Sequence, residues 1–460
     1  MFLRQSYSDP HFLVKARFRK RINRLKFYFL FFASVFFLST EIFANTSFNW
    51  IPSWQPVQAM NIARAGSAVV SDGNRIYVIG GVDGVNFLNS VESASVHSDG
   101  TLSPWSYTQA MPEARGFVSA TIVNRRIYVI GGANGSYGKN LLRSIVSAPI
   151  LRNGELGTWR TEKEPMLTPR RCAKIIVDGN IVHAIGGFNG ALLSSVESTQ
   201  IMLNGQMSKW SMQTNELKMP RYVNEVKKLG KLGFVFGGHH PTKGLGIKDV
   251  EYTQLNRTPL TWQKAPSMLI GRYAFSSAVK NDTLYALGGI SGSEYLNSIE
   301  KLTIGDDLDA VTWQTSTLLP ASMANFTTLI IGQSIYIIGG STNLHYMNNV
   351  WKATFNNQND IGYYGSEEAL KKYKKQKASI APTSDLKNIG SVLDVIQSAS
   401  YTYIRVNQDG VIEWLAAPIV DVKVNQQISY GNGVLMSNFT SKSLNRQFQT
   451  IRFVGLVKPK

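Results

Sequence analysis

Four arginines of this 460-residue chain recur in one local setting: "MNIAR" ends at Arg64, "MPEAR" at Arg115, "MLTPR" at Arg170 and "MLIGR" at Arg272. A planar guanidinium fork suits carboxylates and sulfated or phosphorylated sugars, so equivalent arginines around one axis would form an anion-recognition ring. The competing reading is structural, with each fork bonded to backbone carbonyls between repeats. His239 and His240 form the one adjacent pair among six histidines, and no further His or carboxylate stands at ligand spacing, so no metal is expected. Asp72, Asp99, Asp178 and Asp282 sit in turn signals and read as turn residues rather than paired acid–base carboxylates. Cys172, after Arg171, is the sole cysteine; it forms no intramolecular disulfide and reads as a small buried residue. No catalytic residue is assigned and no cofactor is expected.

The elements that would position these side chains are written as a repeat. "RIYVIGG" occupies Arg75–Gly81 and returns at Arg126–Gly132; near-copies end at Gly187, Gly238, Gly289 and Gly340. The intervals between second glycines are 51, 55, 51, 51 and 51, and Trp54, Trp105, Trp159, Trp210, Trp262 and Trp313 keep the same beat. A period near 50 points to a β-propeller. Each unit reads as four strands, with "SDGN"-type turns making hairpins and alternating runs such as "SVESASV" making half-buried strands. The last unit has no Trp-bearing fourth strand after Phe355, whereas "FNWIPSWQPV" (Phe48–Val57) precedes the first glycine pair. The reading is therefore six blades, the N-terminal strand around Trp54 closing the blade made by residues 325–355, with no open edge left. Six equivalent glycine pairs read as architecture. The loops after them differ from unit to unit, and a constant scaffold with variable loops is the usual layout of a recognition surface. Candidate binding residues on that face are Arg64, Arg115, Arg170, Arg272, Asn134, Tyr137, Asn189, His239, His240, Tyr295, Asn343 and His345.

The apolar run closed by Gly-Gly, the downstream Trp, and the Met or Pro shortly before an Arg together resemble the kelch repeat family over about residues 48–356. The fourth unit departs from that pattern, "MPRYVN" shifting its arginine to Arg221, and the sixth has "MANF" with no arginine. The resemblance implies a six-bladed kelch β-propeller. Two enzyme types share that scaffold. Galactose oxidase needs copper ligands and a Tyr–Cys crosslink that one cysteine and few histidines do not supply. A sugar epimerase of the N-acetylneuraminate kind stays as an alternative, because acid–base residues in a channel need no motif.

The flanks have a different character. The first 44 residues carry eight Lys or Arg against Asp9 and Glu41, about a third of the chain's excess of +18. That basic lead precedes the apolar "FYFLFFASVFFLST" (Phe27–Thr40), short for a membrane span and suited to a signal-peptide core with cleavage near Ala44. A membrane anchor over residues 27–43 is the alternative. Residues 45–357 read as the propeller and 358–387 as a basic linker, where Ser366 caps a short helix ending in "KKYKKQK", a possible contact for an anionic envelope surface. From 388 to 460 the chain reads as a small OB-like β-barrel of about five strands, including "YTYIRV", "VIEWLAA" and "VDVKV". The strings "SVLDVIQSASYTYIRV" and "NFTSKSLNRQF" resemble a small exported domain family named after an accessory protein of the cytochrome c nitrite reductase system. That resemblance implies an exported compartment and an accessory role in redox-protein maturation as a further alternative. Tyr401, Tyr403, Trp414, Arg405, Lys442 and Arg446 make a single-strand platform conceivable, but the mildly basic body and exported setting argue against nucleic acid. The reading is an all-β, exported, non-catalytic propeller that binds a glycan or protein partner outside the cytoplasm.

Overall fold

The computed structural model describes residues 48–460 apart from 241–244, 381–385, 387, 399–400, 419, 442–443, 445 and 455. The expected signal or anchor segment lies outside the described residues.

In blade one the strands Ala68–Ser71, Arg75–Ile79, Val91–Ser95 and Ser106–Thr108 pair antiparallel in chain order from the axis outward. The first hairpin is set by Asp72, whose Oδ1 accepts the N–H groups of Asn74 (3.0 Å) and Arg75 (2.9 Å), with Gly73 at φ 98°. Blades two to five repeat this order from inner strands Ser119–Val123, Lys174–Asp178, Glu225–Leu229 and Ser276–Lys280. The second strand of each blade is buried on both faces between neighbouring blades: Ile76, Tyr77, Val78 and Ile79 are fully buried, which explains why it is written as a continuous apolar run.

Blade six closes the ring as the missing strand required. Gln55–Val57 pairs antiparallel with Val350–Phe355, Val57 opposite Val350 and Gln55 opposite Lys352. The same sheet continues into Ile361–Gly365, placed in the linker by its sequence; "IGYYG" pairs Ile361 with Phe355 and Gly362 with Thr354 without alternating polarity to announce it.

Blades are joined by side chains that keep the repeat's beat. The indole N–H of Trp105 donates to the Gln58 carbonyl (2.8 Å), that of Trp159 to Gln109 (2.8 Å) and that of Trp313 to Pro266 (2.8 Å), each partner lying on the preceding blade. The tyrosine three residues before the glycine pair reaches the next blade: Tyr77 donates to the Gly154 carbonyl at 2.7 Å and Tyr336 to Gly100 at 2.7 Å across the closure.

The glycine pairs lie where blades touch. Gly81 N–H donates to the Arg115 carbonyl (3.0 Å), Gly132 to Arg170 (3.0 Å), Gly289 to Met323 (2.8 Å) and Gly340 to Arg64 (2.8 Å), so each pair is tied to the following blade. At Gly81, φ is 98° and a Cβ would stand 2.8 Å from the Ala65 carbonyl oxygen. Only glycine meets both conditions. A second ring lies nearer the axis. Gly66, Phe117, Cys172, Val223, Ala274 and Asn325 hold one position per blade, all at φ between 50° and 61°. Phe117 N–H donates to Gly66 (2.7 Å), Cys172 to Phe117 (2.9 Å), Ala274 to Val223 (2.9 Å), Asn325 to Ala274 (2.7 Å) and Gly66 to Asn325 (2.9 Å). Left-handed backbone at non-glycine residues costs about 1–2 kcal/mol each and persists because the ring satisfies these groups.

The helix Glu367–Ile380 carries Glu367 and Glu368 in its first turn and Lys377 in its last, and Ser366 Oγ accepts the Ala369 N–H at 3.2 Å as the expected cap. No helix among the described residues is long and apolar enough to cross a membrane.

Beyond it, strands pair in the order Val434–Ser441, Arg446–Phe453, Val411–Ala417, Thr402–Gln408, Asn388–Gln397, Gln427–Tyr430 and Val457–Pro459. The all-β expectation holds, with seven strands in one sheet among the described residues where about five were expected. "VDVKV" (Val420–Val424) forms no strand; Asn425, at φ 70°, and Lys423 turn the chain there instead.

Candidate functional site

The arginines at the repeat's approach loops are inside the protein. Arg64, Arg170 and Arg272 are fully buried, and Arg115 is 1% exposed. In blade five, Arg272 Nη1 donates to the carbonyls of Gly288 (2.8 Å) and Ser298 (3.1 Å), and Nη2 to Glu300 Oε1 (2.5 Å). Glu300 also accepts the N–H groups of Leu269 (2.6 Å) and Ile270 (3.0 Å), so one carboxylate fixes both the guanidinium and the loop leading to it. Arg64 with Glu92 and Arg170 with Glu197 repeat the arrangement. Burial lowers the Arg272 pKa, and the Glu300 carboxylate opposes that shift. Forks engaged in this way, with no exposed surface, are not offered to a ligand; the geometry places these four residues in architecture rather than at a channel mouth. Arg221 joins them, donating to Gly237 O (2.9 Å) and to Glu251 (2.8 Å). The apparent shift of the fourth unit is thus only in its Met: each arginine precedes its glycine by 16 residues.

The axis leaves little room. A cavity of about 50 Å³ is lined by the inner ring together with Lys174 and Glu225, against the several hundred needed for a small-molecule pocket. Lys174 Nζ lies 2.6 Å from Glu225, which also accepts Ser277 Oγ at 2.6 Å. Cys172 packs there, burial pushing its thiol up to about 12, far from a reactive thiolate.

The loop residues divide into three kinds. Asn134 is structural, donating to Glu113 Oε1 (2.8 Å) and the Ala114 carbonyl (3.0 Å), and Asn189 Oδ1 accepts the Ala191 N–H (3.3 Å) within its own turn. His239 packs edge-on against Tyr273 at 4.9 Å, and the His240 N–H donates to Leu245 O (2.7 Å), so the His pair shapes its loop. Among the described residues no group of three His, Cys, Asp or Glu side chains converges on a point that could hold a metal. The third kind faces solvent. Tyr137 is 90% exposed at the tip of the Ser136–Gly138 turn, and Asn343 and His345 are exposed in the blade-six loop. Tyr295 is half-buried on the short hairpin formed with Ile290.

Residues not picked out from sequence complete this surface. Val85 (90% exposed) and Leu344 (84%) stand at the tips of the blade-one and blade-six loops, with Tyr346 beside them. The loops are neighbours: a Cβ on Gly84 would lie 3.1 Å from the Tyr346 ring, and one on Gly138 would lie 3.1 Å from Phe87. Val85, Tyr137, Leu344 and Tyr346 therefore form an apolar arc over blades six, one and two. Their signal in the sequence is weak, because one apolar residue in a polar loop reads the same whether it folds inward or outward.

Comparison with known proteins agrees with the repeat. The Kelch motif matches residues 63–93 and 271–304. "Kelch repeat and BTB domain-containing protein 2" of Cowpox virus (strain Brighton Red) is 40% identical over 77 residues, 17% of this chain and 13% of that protein. Beta-scruin of Limulus polyphemus is 27% identical over 154 residues, 33% of this chain and 17% of that protein. "Kelch repeat and BTB domain-containing protein 12" of Homo sapiens is 29% identical over 176 residues, 35% of this chain and 27% of that protein. The chain thus spans between 13% and 27% of these relatives' lengths. The solved structure of YjhT superposes with a TM-score of 0.55 at 14% identity, covering 66% of this chain and 98% of that one, a likeness of fold. The chain carries kelch motifs on a six-bladed β-propeller.

Proposed function

We propose that this protein is an exported recognition propeller that binds a protein partner through the loop face of blades six, one and two. The observation that carries the reading is the apolar arc: Val85, Tyr137 and Leu344 are exposed by 84–90% on a scaffold whose other features are locked. Apolar side chains clustered at adjoining loop tips mark interaction surfaces, and a rigid ring presents them at little ordering cost. The kelch motifs and the kelch-repeat relatives support a binding role over a catalytic one. Export rests on the basic lead and the apolar Phe27–Thr40 segment, with cleavage near Ala44.

The test is affinity capture with the full chain from envelope extracts, alongside Tyr137→Glu/Leu344→Glu. A partner retained by the wild type and by Leu203→Glu, on the opposite turns, but lost by the double variant is the expected result. Equal capture by all three proteins contradicts the reading. N-terminal sequencing of the mature protein, with a start near Asn45, checks the export half.

A further inference from the structure

The C-terminal sheet is apolar on both faces. One face is closed by Val392, Ile404, Val406, Leu415, Ile428 and Tyr430. The other holds Tyr403, Phe448 and Ile451 at its centre, with Tyr401, Trp414, Phe439 and Phe453 only half-buried around them. The propeller and this sheet fall within one compact unit, Trp50–Tyr363 with Lys372–Lys460. Between the aromatic face and the loops of blades five and six lies a cleft of about 1,040 Å³.

We propose that this cleft binds an uncharged oligosaccharide. Three features of its walls select that class. The volume stands at the upper end for bound small molecules, so it fits a ligand of several rings rather than one. The sheet side supplies Tyr401, Phe439 and Phe453, whose flat apolar faces match the C–H face of a sugar ring. The propeller side supplies Asn297, Asn343 and serine hydroxyls, groups that both donate and accept and so match a rim of sugar hydroxyls. Glu294 is the one charged group among the described lining residues, and a carboxylate there disfavours sulfated, phosphorylated or carboxylated sugars. Burial, then Glu294, raise the Tyr401 pKa, which keeps its hydroxyl a neutral donor. Tyr295, held by its hairpin with Ile290, adds an aromatic edge from the propeller. The site therefore requires both domains, and it adjoins the apolar arc only at the blade-six loop, where Asn343 precedes Leu344.

A printed array of uncharged and acidic glycans, probed with the full chain, provides the test, with titration calorimetry on the best uncharged hit. Tyr401→Ala from the sheet and Tyr295→Ala from the propeller should each weaken that hit at least tenfold. Asn343→Ala, an exposed loop change that leaves the core intact, should weaken it severalfold at an unchanged melting temperature, while Tyr137→Ala should leave it alone. No uncharged glycan bound, a preference for acidic glycans, or wild-type affinity in either tyrosine variant would overturn the proposal.

Discussion

Blades two and six depart from the other four in opposite directions. In blade two the arginine remains but its strand partner is gone: Val146 stands where Glu92, Glu197, Glu251 and Glu300 stand elsewhere. Arg115 turns instead to Glu113, two residues before it, at 2.9 Å, and that carboxylate is 43% exposed. In blade six both charges are absent; Met323 occupies the arginine position and Trp351 the glutamate position, within one apolar cluster. The two blades teach one rule. A buried guanidinium is kept only with a carboxylate: where the strand glutamate is lost, the arginine either takes a carboxylate from its own approach loop, as in blade two, or is lost with it, as in blade six. A buried ion pair and a well-packed apolar pair of similar volume are close in free energy, whereas half a pair is not.

The largest test of this comparison breaks one blade. Glu300→Ala should destabilise the propeller by about 3–5 kcal/mol, because Arg272 is left buried without its anion; denaturant unfolding reads this. The double change Arg272→Met/Glu300→Trp, which writes blade six into blade five, should recover most of that loss. Glu113→Ala in blade two should cost less than Glu300→Ala, because that carboxylate is 43% exposed and partly screened by water, although Arg115 is left buried with only carbonyl and hydroxyl partners. Equal losses for Glu300→Ala and Glu113→Ala would refute the distinction.

A smaller effect separates architecture from turn chemistry. Gly81 and Gly73 share φ 98°, but a Cβ at Gly73 meets nothing within 4 Å, while one at Gly81 meets a carbonyl oxygen at 2.8 Å. Both Ala variants carry the backbone penalty of about 1–2 kcal/mol. Gly81→Ala should cost clearly more, and equal stabilities would show that the close approach of the segment entering the same blade is not what Gly81 serves.

The smallest effect depends on pH. His183 fills the position taken by Tyr77, Tyr128, Tyr285 and Tyr336 in other blades, and burial lowers its pKa below the ordinary value near 6.5. The unfolded state therefore binds the proton first. Its stability contribution is full above about pH 6.5 and is lost as pH falls below it. His183→Phe, the blade-four choice (Phe234), should flatten that part of the melting-temperature profile; an unchanged slope would remove His183 as its source.

The fold was legible because the propeller repeats its packing. Gly81 and its five counterparts, with the Trp at each outer strand, restate one local constraint at a fixed interval, and the missing strand at Phe355 pointed to Trp54. The arginines were legible as equivalent but not as buried, since Glu92 and its counterparts lie 27 to 30 residues away in sequence and only the sheet brings them within reach. The loop tips were located, yet Val85 and Leu344 were passed over because nothing repeats there. The C-terminal sheet, without a repeat, betrayed its composition but not its strand count or its open aromatic face.

The central claim is that recognition belongs to the loop tips while the arginine ring holds the fold. Hydrogen–deuterium exchange on the full chain, with and without its captured partner, tests it most directly. Protection confined to residues 83–88, 136–140 and 342–346, with the blade cores unchanged, is the predicted result. Protection of the opposite turns at 98–101, 152–155 and 203–206 instead would contradict the account.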